Sequence, residues 1–309
     1  MLARRQLTWL ITGTSSGFGY RLALLALQRG DKVLAIARSL PKLQRLVDEV
    51  AAQDPAKITS SSHKSNGESM KDRLRTFRLD LGDSEKVVKD VVEDAVGVWG
   101  GVDVLVNNAG WGHPGLIEEQ GIKDIQHLID TNIMGTVKLT FAVLPHMRAQ
   151  KSGTVVTIGS RSVWRAEFAG IGSYAMVKAA IHAFSENLST ELAPFNIRTL
   201  LAQPGGFRTE GIYSHGWNST NPISDYDDLR DKTRTVFSNI PGKERGDPWK
   251  AATAIVDIVR GEGIAKGRDL PKYLILGDDA ENAVRNKCQV VLDTLDEWKD
   301  VTRGVNFDE

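Results

Sequence analysis

Short β-rich runs alternate with stretches of helical periodicity along the whole chain, and this alternation constrains the fold more than any other feature. The runs are Leu7 to Thr12, Lys32 to Ala37, Leu74 to Leu79, Val102 to Val106, Gly153 to Ile158, Ile197 to Ala202 and Tyr273 to Leu276. Parallel neighbours need a crossover of about a dozen residues or more, usually a helix, and each gap is long enough to hold one. The pattern predicts an α/β fold: a doubly wound (Rossmann) parallel sheet of about seven strands with helices on both faces, in a single domain over residues 1–309. Residues 55–73 are polar and small, which predicts an exposed, flexible insertion. Residues 211–246 are polar but carry Tyr213, Trp217, Tyr226 and Phe237, the composition of a lid over a site. Residues 247–309 are expected to hold C-terminal helices around the last strand.

Composition narrows the partners. The 39 basic residues balance 39 acidic ones, so no global field favours nucleic acid or an anionic membrane, and a small molecule is the expected ligand. Cys288 is the only cysteine, which excludes an internal disulfide and suits a reducing, cytoplasmic compartment. No His, Asp or Glu set has metal-ligand spacing, so no metal is expected. Apolar runs fall short of the roughly 20 residues that cross a bilayer.

The stretch "LTWLITGTSSGFGYRLALLALQRG" reads as strand, glycine-rich turn and helix. Gly13 suits the tight turn, Gly17 lets the main chain approach a pyrophosphate, and Gly19 lets the helix pack on the strand. Ser15, Ser16 and Phe18 complete the expected cofactor-binding turn, whose free N–H groups face the phosphates. The second strand ends in Arg38, where an NAD enzyme would place an acid for the ribose hydroxyls; Asp31 lies at the strand's other end. This points to NADP(H), since a charge-assisted hydrogen bond of about 1.5–3 kcal/mol is enough to set the preference.

Tyr174 and Lys178 stand one helical turn apart on a predicted helix and project from one face. A phenol with pKa near 10 needs a shift of about 3 units, roughly 4 kcal/mol, to shuttle protons at neutrality. An ammonium at about 4 Å supplies about that much at an effective dielectric of 20. A Tyr-x-x-x-Lys pair is common by itself. Here it stands in one order with "TGTSSGFG", "NNAG", "TNIMG", "VVTIGS" and "PGGFRT".

With that set of motifs the chain resembles the short-chain dehydrogenase/reductase family, in its single-domain branch, over about residues 7 to 210. The resemblance implies a catalytic tetrad of Asn132, Ser160, Tyr174 and Lys178. Tyr174 would donate a proton to a substrate oxygen, Lys178 would hold the nicotinamide ribose, and Asn132 would support a water chain to Lys178. The stretch from Ser160 to Tyr174 is one residue longer than in most relatives, and Ser162 is the alternative serine. Family positions also place Asp80 and Leu81 at the adenine, Asn107, Ala109 and Gly110 beside the adenosine ribose, and Pro204, Gly205 and Thr209 at the nicotinamide. Association into a homodimer or homotetramer is implied in the same way.

Ligands of such a sheet bind beyond the carboxyl ends of its strands. The aromatic residues that follow those ends are Trp111, Trp164, Phe168, Phe207, Tyr213 and Trp217. They suggest a fairly large apolar or aromatic ketone, aldehyde or alcohol, with reduction the expected direction. An epimerase or dehydratase of the extended branch, or a non-catalytic NADP-binding sensor, are the rival readings.

Overall fold

The computed structural model describes residues 5–53, 68–210 and 216–307. Seven strands form one parallel sheet in the order β3-β2-β1-β4-β5-β6-β7. They are β1 (Thr8–Thr12), β2 (Lys32–Ala37), β3 (Leu74–Arg78), β4 (Val104–Asn107), β5 (Gly153–Ile158), β6 (Ile197–Pro204) and β7 (Tyr273–Leu276). Each begins within two residues of its predicted start. The main difference is β6, which runs two residues further because Gln203 and Pro204 pair with Ile275 and Leu276 of β7.

The strand order reverses between β1 and β4, so crossovers leave this pair in opposite directions and open a crevice at their carboxyl ends. β1 is buried along its whole length and feeds two cores, as residues alternate across the sheet. Trp9 and Ile11 face a cluster that includes Leu24 and Leu27 of α1 (Gly17–Gln28) and Ile255 and Val256 of α8 (Pro248–Arg260). Leu10 faces the opposite cluster, with Val88 and Val92 of α3 (Glu85–Trp99) and Leu139 and Val143 of α5 (Gly135–Gln150). Asp31, fully buried at the amino end of β2, accepts from Trp9 Nε1 at 2.8 Å and from Arg260. It is a structural pin remote from the crevice.

The predicted insertion is corrected at its carboxyl end, while residues 54–67 lie outside the described residues. Met70 and Arg73 are buried, and Arg73 donates to the carbonyls of Leu27 and Asp31 at 2.7 and 2.9 Å. One long side chain thus ties the last turn of α1 to the residue that precedes β2. The polar stretch after residue 216 contains α7 (Asp227–Ser238), whose acidic first turn complements the helix dipole. This helix is anchored by Glu119, which has no exposed surface and accepts from Arg230 Nε at 2.9 Å and Ile223 N at 3.0 Å. The Arg230 guanidinium holds the Glu119 carboxyl down to about 2.

Candidate active site

A cavity of about 1060 Å³ opens at the carboxyl ends of the strands and runs from Arg38 to beyond Tyr174. One end of it is the glycine turn between β1 and α1. Gly13 and Gly17 have φ of +70° and +59°, a region that favours glycine. A Cβ at Gly19 would overlap the Gly13 carbonyl and stand 2.6 Å from Asn108 Nδ2, so the third glycine sets the helix against the strand. Ser15, Ser16, Gly17 and Phe18 line the cavity beside them. The Gly17 N–H donates to Glu210 Oε2 at 3.0 Å, and Arg21 grips both oxygens of that carboxylate at 3.0 Å. Arg21 holds the Glu210 carboxyl down to about 2, so an anion already sits at this helix start. The same clamp brings Thr209 over Gly17, 3.9 Å from where a Cβ there would lie.

Elsewhere on the cavity wall Arg38 is exposed beside Lys42 and Arg45, and no described carboxylate pairs with Arg38. Asp80 and Leu81 also line the cavity, and the Asp80 carboxylate accepts from Gly82 N at 3.0 Å. Ala109 and Gly110 line the cavity, but Asn107 does not. As the last residue of β4, Asn107 turns its amide into the core, where Nδ2 donates to Thr140 Oγ1 at 2.9 Å. The next residue faces the other way. Asn108 therefore lines the cavity and ties β4 to β1 through the Thr12 carbonyl at 2.8 Å. The doubled asparagine in the motif hid which of the two faces the ligand side.

Tyr174, Lys178 and Ser160 converge where β5 meets α6 (Gly172–Leu192). The Lys178 ammonium lies 5.8 Å from the centre of the Tyr174 ring and donates to the Ile158 carbonyl at 2.8 Å. Burial pushes the Lys178 pKa down to about 8. Ser160 Oγ accepts from the Ser162 N–H at 3.1 Å and caps the turn Arg161–Trp164. Ser162 also lines the cavity, but its own Oγ is sealed from solvent with no partner among the described residues. Both serines thus line the cavity and are similarly buried.

Asn132 sits in a π-helical turn, Ile129–Met134, that widens the helix running from α4 (Ile122–Leu128) into α5. Its amide accepts from Trp111 N and donates to Trp111 O, both at 3.1 Å, and also donates to Leu128 O at 3.0 Å. The side chain therefore locks the loop after β4. Two glycines of that loop make room for the cluster. A Cβ at Gly110 would stand 2.6 Å from Asn132 Oδ1 and 3.7 Å from Lys178 Nζ; one at Gly112 would stand 2.5 Å from Tyr174 Cδ2.

Pro204 at the end of β6, with Gly205, Phe207 and Thr209 after it, lines the cavity, as do Trp111 and Phe168. Two expected substrate aromatics do not line it. Trp164 is drawn away by a 2.5 Å hydrogen bond from its Nε1 to Gln203. Trp217 packs edge-on behind Phe237, with ring centres 5.8 Å apart. Tyr213 lies outside the described residues. Phe237, in the last turn of α7, and Ile240, just past its end, also line the cavity, and Phe237 is one of the aromatic residues expected of a lid. Arg161 and Arg165 also line this half; Arg161 pairs with Asp279 at the start of α9 (Asp278–Glu297), and Arg165 stacks on Phe168 at 4.2 Å.

A doubly wound sheet with a glycine turn at its switch point is the architecture of dinucleotide-binding α/β proteins, and here a Tyr/Lys pair stands at the neighbouring strand end. The short chain dehydrogenase family model matches residues 8–215, and the chain belongs to that family. A solved short-chain dehydrogenase from Streptomyces avermitilis is 33% identical with a TM-score of 0.81, covering 98% of this chain and 100% of that one. Oxidoreductase BOA17 of Botryotinia fuckeliana is 28% identical over 95% of this chain and 97% of its own length. The NADP-dependent 3-hydroxy acid dehydrogenase YdfG of Shigella flexneri is 31% identical over 63% of this chain and 71% of its own. Among the described residues no helix is long and apolar enough to cross a membrane.

Proposed function

We propose that this oxidoreductase is an NADPH-dependent reductase of fairly large apolar or aromatic ketones and aldehydes. The observation that carries the reading is the meeting of Tyr174, Lys178 and Ser160 on one wall of a cavity whose far end presents Arg38. The glycine turn and the cavity of about 1060 Å³ are the basis for putting the pyrophosphate at Gly13 to Phe18, the adenosine along Asp80, Leu81, Ala109 and Gly110, and the nicotinamide at Thr209. When bound, the dinucleotide supplies the hydride.

The chain's residues do the rest. Arg38, with Lys42 and Arg45 nearby, offers cationic donors to a ribose 2′-phosphate. Ser160 and Tyr174 hydrogen-bond the substrate carbonyl oxygen, and Tyr174 delivers its proton as negative charge develops there. Lys178, protonated below about pH 8, holds the nicotinamide ribose and favours the tyrosinate left behind. Asn132 fixes the loop that backs Tyr174. The 211–246 segment, of which residues 211–215 lie outside the described residues, acts as the lid, with Phe237 and Ile240 against the substrate. The YdfG relative's named NADP dependence supports the cofactor assignment.

The test is oxidation of NADPH and NADH at 340 nm with a panel of aryl and long-chain ketones, using wild type and Tyr174→Phe. NADPH-preferring turnover that the substitution cuts by about 10²-fold or more bears out the reading. Equal turnover by both proteins refutes it.

A further inference from the structure

Tyr174, Lys178 and His182 are spaced four apart on α6 and form one stripe facing the end of β5. The first two enter the proposed chemistry. His182 does not, yet it is buried at 4% exposure and touches the backbone that carries Ser160. Its Nε2 accepts from the Ser160 N–H at 3.2 Å, one helical turn from the point where Lys178 grips the Ile158 carbonyl. The residue between these two contacts is Gly159, and a Cβ there would overlap the imidazole. Glycine at 159 is what allows the ring to reach the strand.

A backbone N–H can only donate, so Nε2 must be unprotonated and the ring proton must sit on Nδ1. Burial and the Lys178 ammonium keep the ring neutral to about pH 4, which holds this acceptor in place at neutrality. Ser160 is extended, with φ −165° and ψ 147°, and its Oγ is already turned back to the Ser162 N–H. Its main chain is therefore held on one side by its own hydroxyl and on the other by the imidazole.

We propose that His182 is a positioning residue that acts through Ser160: by accepting the Ser160 N–H it fixes the serine hydroxyl against the substrate oxygen, while Lys178 fixes the preceding turn of strand. This rests on the reading of Ser160 as the hydroxyl that contacts substrate. Without the acceptor, the buried N–H seeks another partner and the end of β5 shifts, misplacing Oγ without emptying the nucleotide site.

The test compares His182→Met, which fills the space without an equivalent acceptor, with His182→Gln, whose amide oxygen reaches about as far as Nε2. Each is made alone and with Ser160→Ala, and kcat and KM are read from NADPH oxidation with the ketone panel. His182→Met should lower kcat about 10- to 100-fold with the KM for NADPH unchanged within about threefold, and His182→Gln should restore most of kcat. In the Ser160→Ala background His182→Met should cost less than about twofold more. The same loss in both backgrounds, or a Gln variant as poor as the Met one, overturns the proposal. Should His182→Met not fold, His182→Asn, whose acceptor falls short, takes its place against His182→Gln. The histidine ¹⁵N spectrum of the apoprotein needs no substrate: an Nδ1–H ring at pH 7 supports the proposal and an Nε2–H ring overturns it. Wild type that turns over none of the panel counts against the reductase reading and leaves the spectrum to decide this one.

Discussion

Replacing Gly112 by alanine tests the site with one methyl group. Gly112 does not have a positive φ, so its backbone tolerates alanine and the effect is purely steric. The new Cβ would stand 2.5 Å from Tyr174 Cδ2 and 3.1 Å from Cγ. Carbon atoms rest at about 3.5–4.0 Å, so the ring must retreat by roughly 1 Å. It sits on a helix whose next inward residue, Lys178, is tied to the Ile158 carbonyl, so the displacement falls on the phenol and not on the helix. Misplacing a catalytic group by about 1 Å costs on the order of 10²-fold, or about 2.7 kcal/mol of barrier. Single-turnover oxidation of NADPH at saturating ketone should therefore slow by about that factor. NADPH affinity, from quenching of tryptophan fluorescence, should change less than about threefold, because the three atoms nearest the methyl all belong to the Tyr174 ring. A Gly112→Ala rate within threefold of wild type would mean that the ring's position does not govern the chemistry.

Three further perturbations probe other parts of the account. Arg38→Asp should weaken NADPH by about 10- to 150-fold, the equivalent of one charge-assisted bond, while leaving NADH binding little changed; equal effects on both in a fluorescence titration would remove the 2′-phosphate assignment. Lys178 has a folded pKa of about 8, below its usual value, so its ammonium is present below that pH and is lost as pH rises through it; kcat/KM should fall on the alkaline side of about 8, and a flat profile to pH 9.5 would contradict this. The Glu119 carboxyl, held at about 2 by Arg230, stabilises the lid anchor fully above its ordinary value of 4.5 and loses that contribution as pH falls through about 2. Arg230→Leu strands this fully buried carboxylate and should lower Tm and raise the KM for bulky ketones more than that for NADPH; an unchanged ketone KM would detach the anchor from the substrate wall.

The sheet was legible because its signal is repeated: each strand is a short apolar run between helical stretches, and β1, buried on both faces, reads as continuous apolar sequence. The glycine turn was legible for a different reason, since Gly13 and Gly19 are each required by a specific geometry. What stayed hidden depends on the direction of single side chains. Asn107 and Asn108 are adjacent and chemically identical, and only the pleat decides that Asn108 faces the cavity. Trp164 was placed in the substrate wall by its position after β5, yet one hydrogen bond to Gln203, 39 residues away, withdraws it. Phe237 was legible as one of the apolar anchors of the expected lid, whereas Ile240, two residues past the end of α7, follows no strand end closely enough for that rule to assign it. His182 is one more histidine on an amphipathic helix until its contact with the Ser160 N–H is seen.

A crystal structure with NADP⁺ and a ketone analogue bound would show whether Tyr174 and Arg38 meet the groups assigned to them. The account predicts the 2′-phosphate against Arg38 and the Tyr174 hydroxyl within about 3 Å of the analogue's carbonyl oxygen, on the same wall as Ser160 Oγ. A dinucleotide running elsewhere in the cavity, or a Tyr174 hydroxyl walled off from that oxygen, would contradict it.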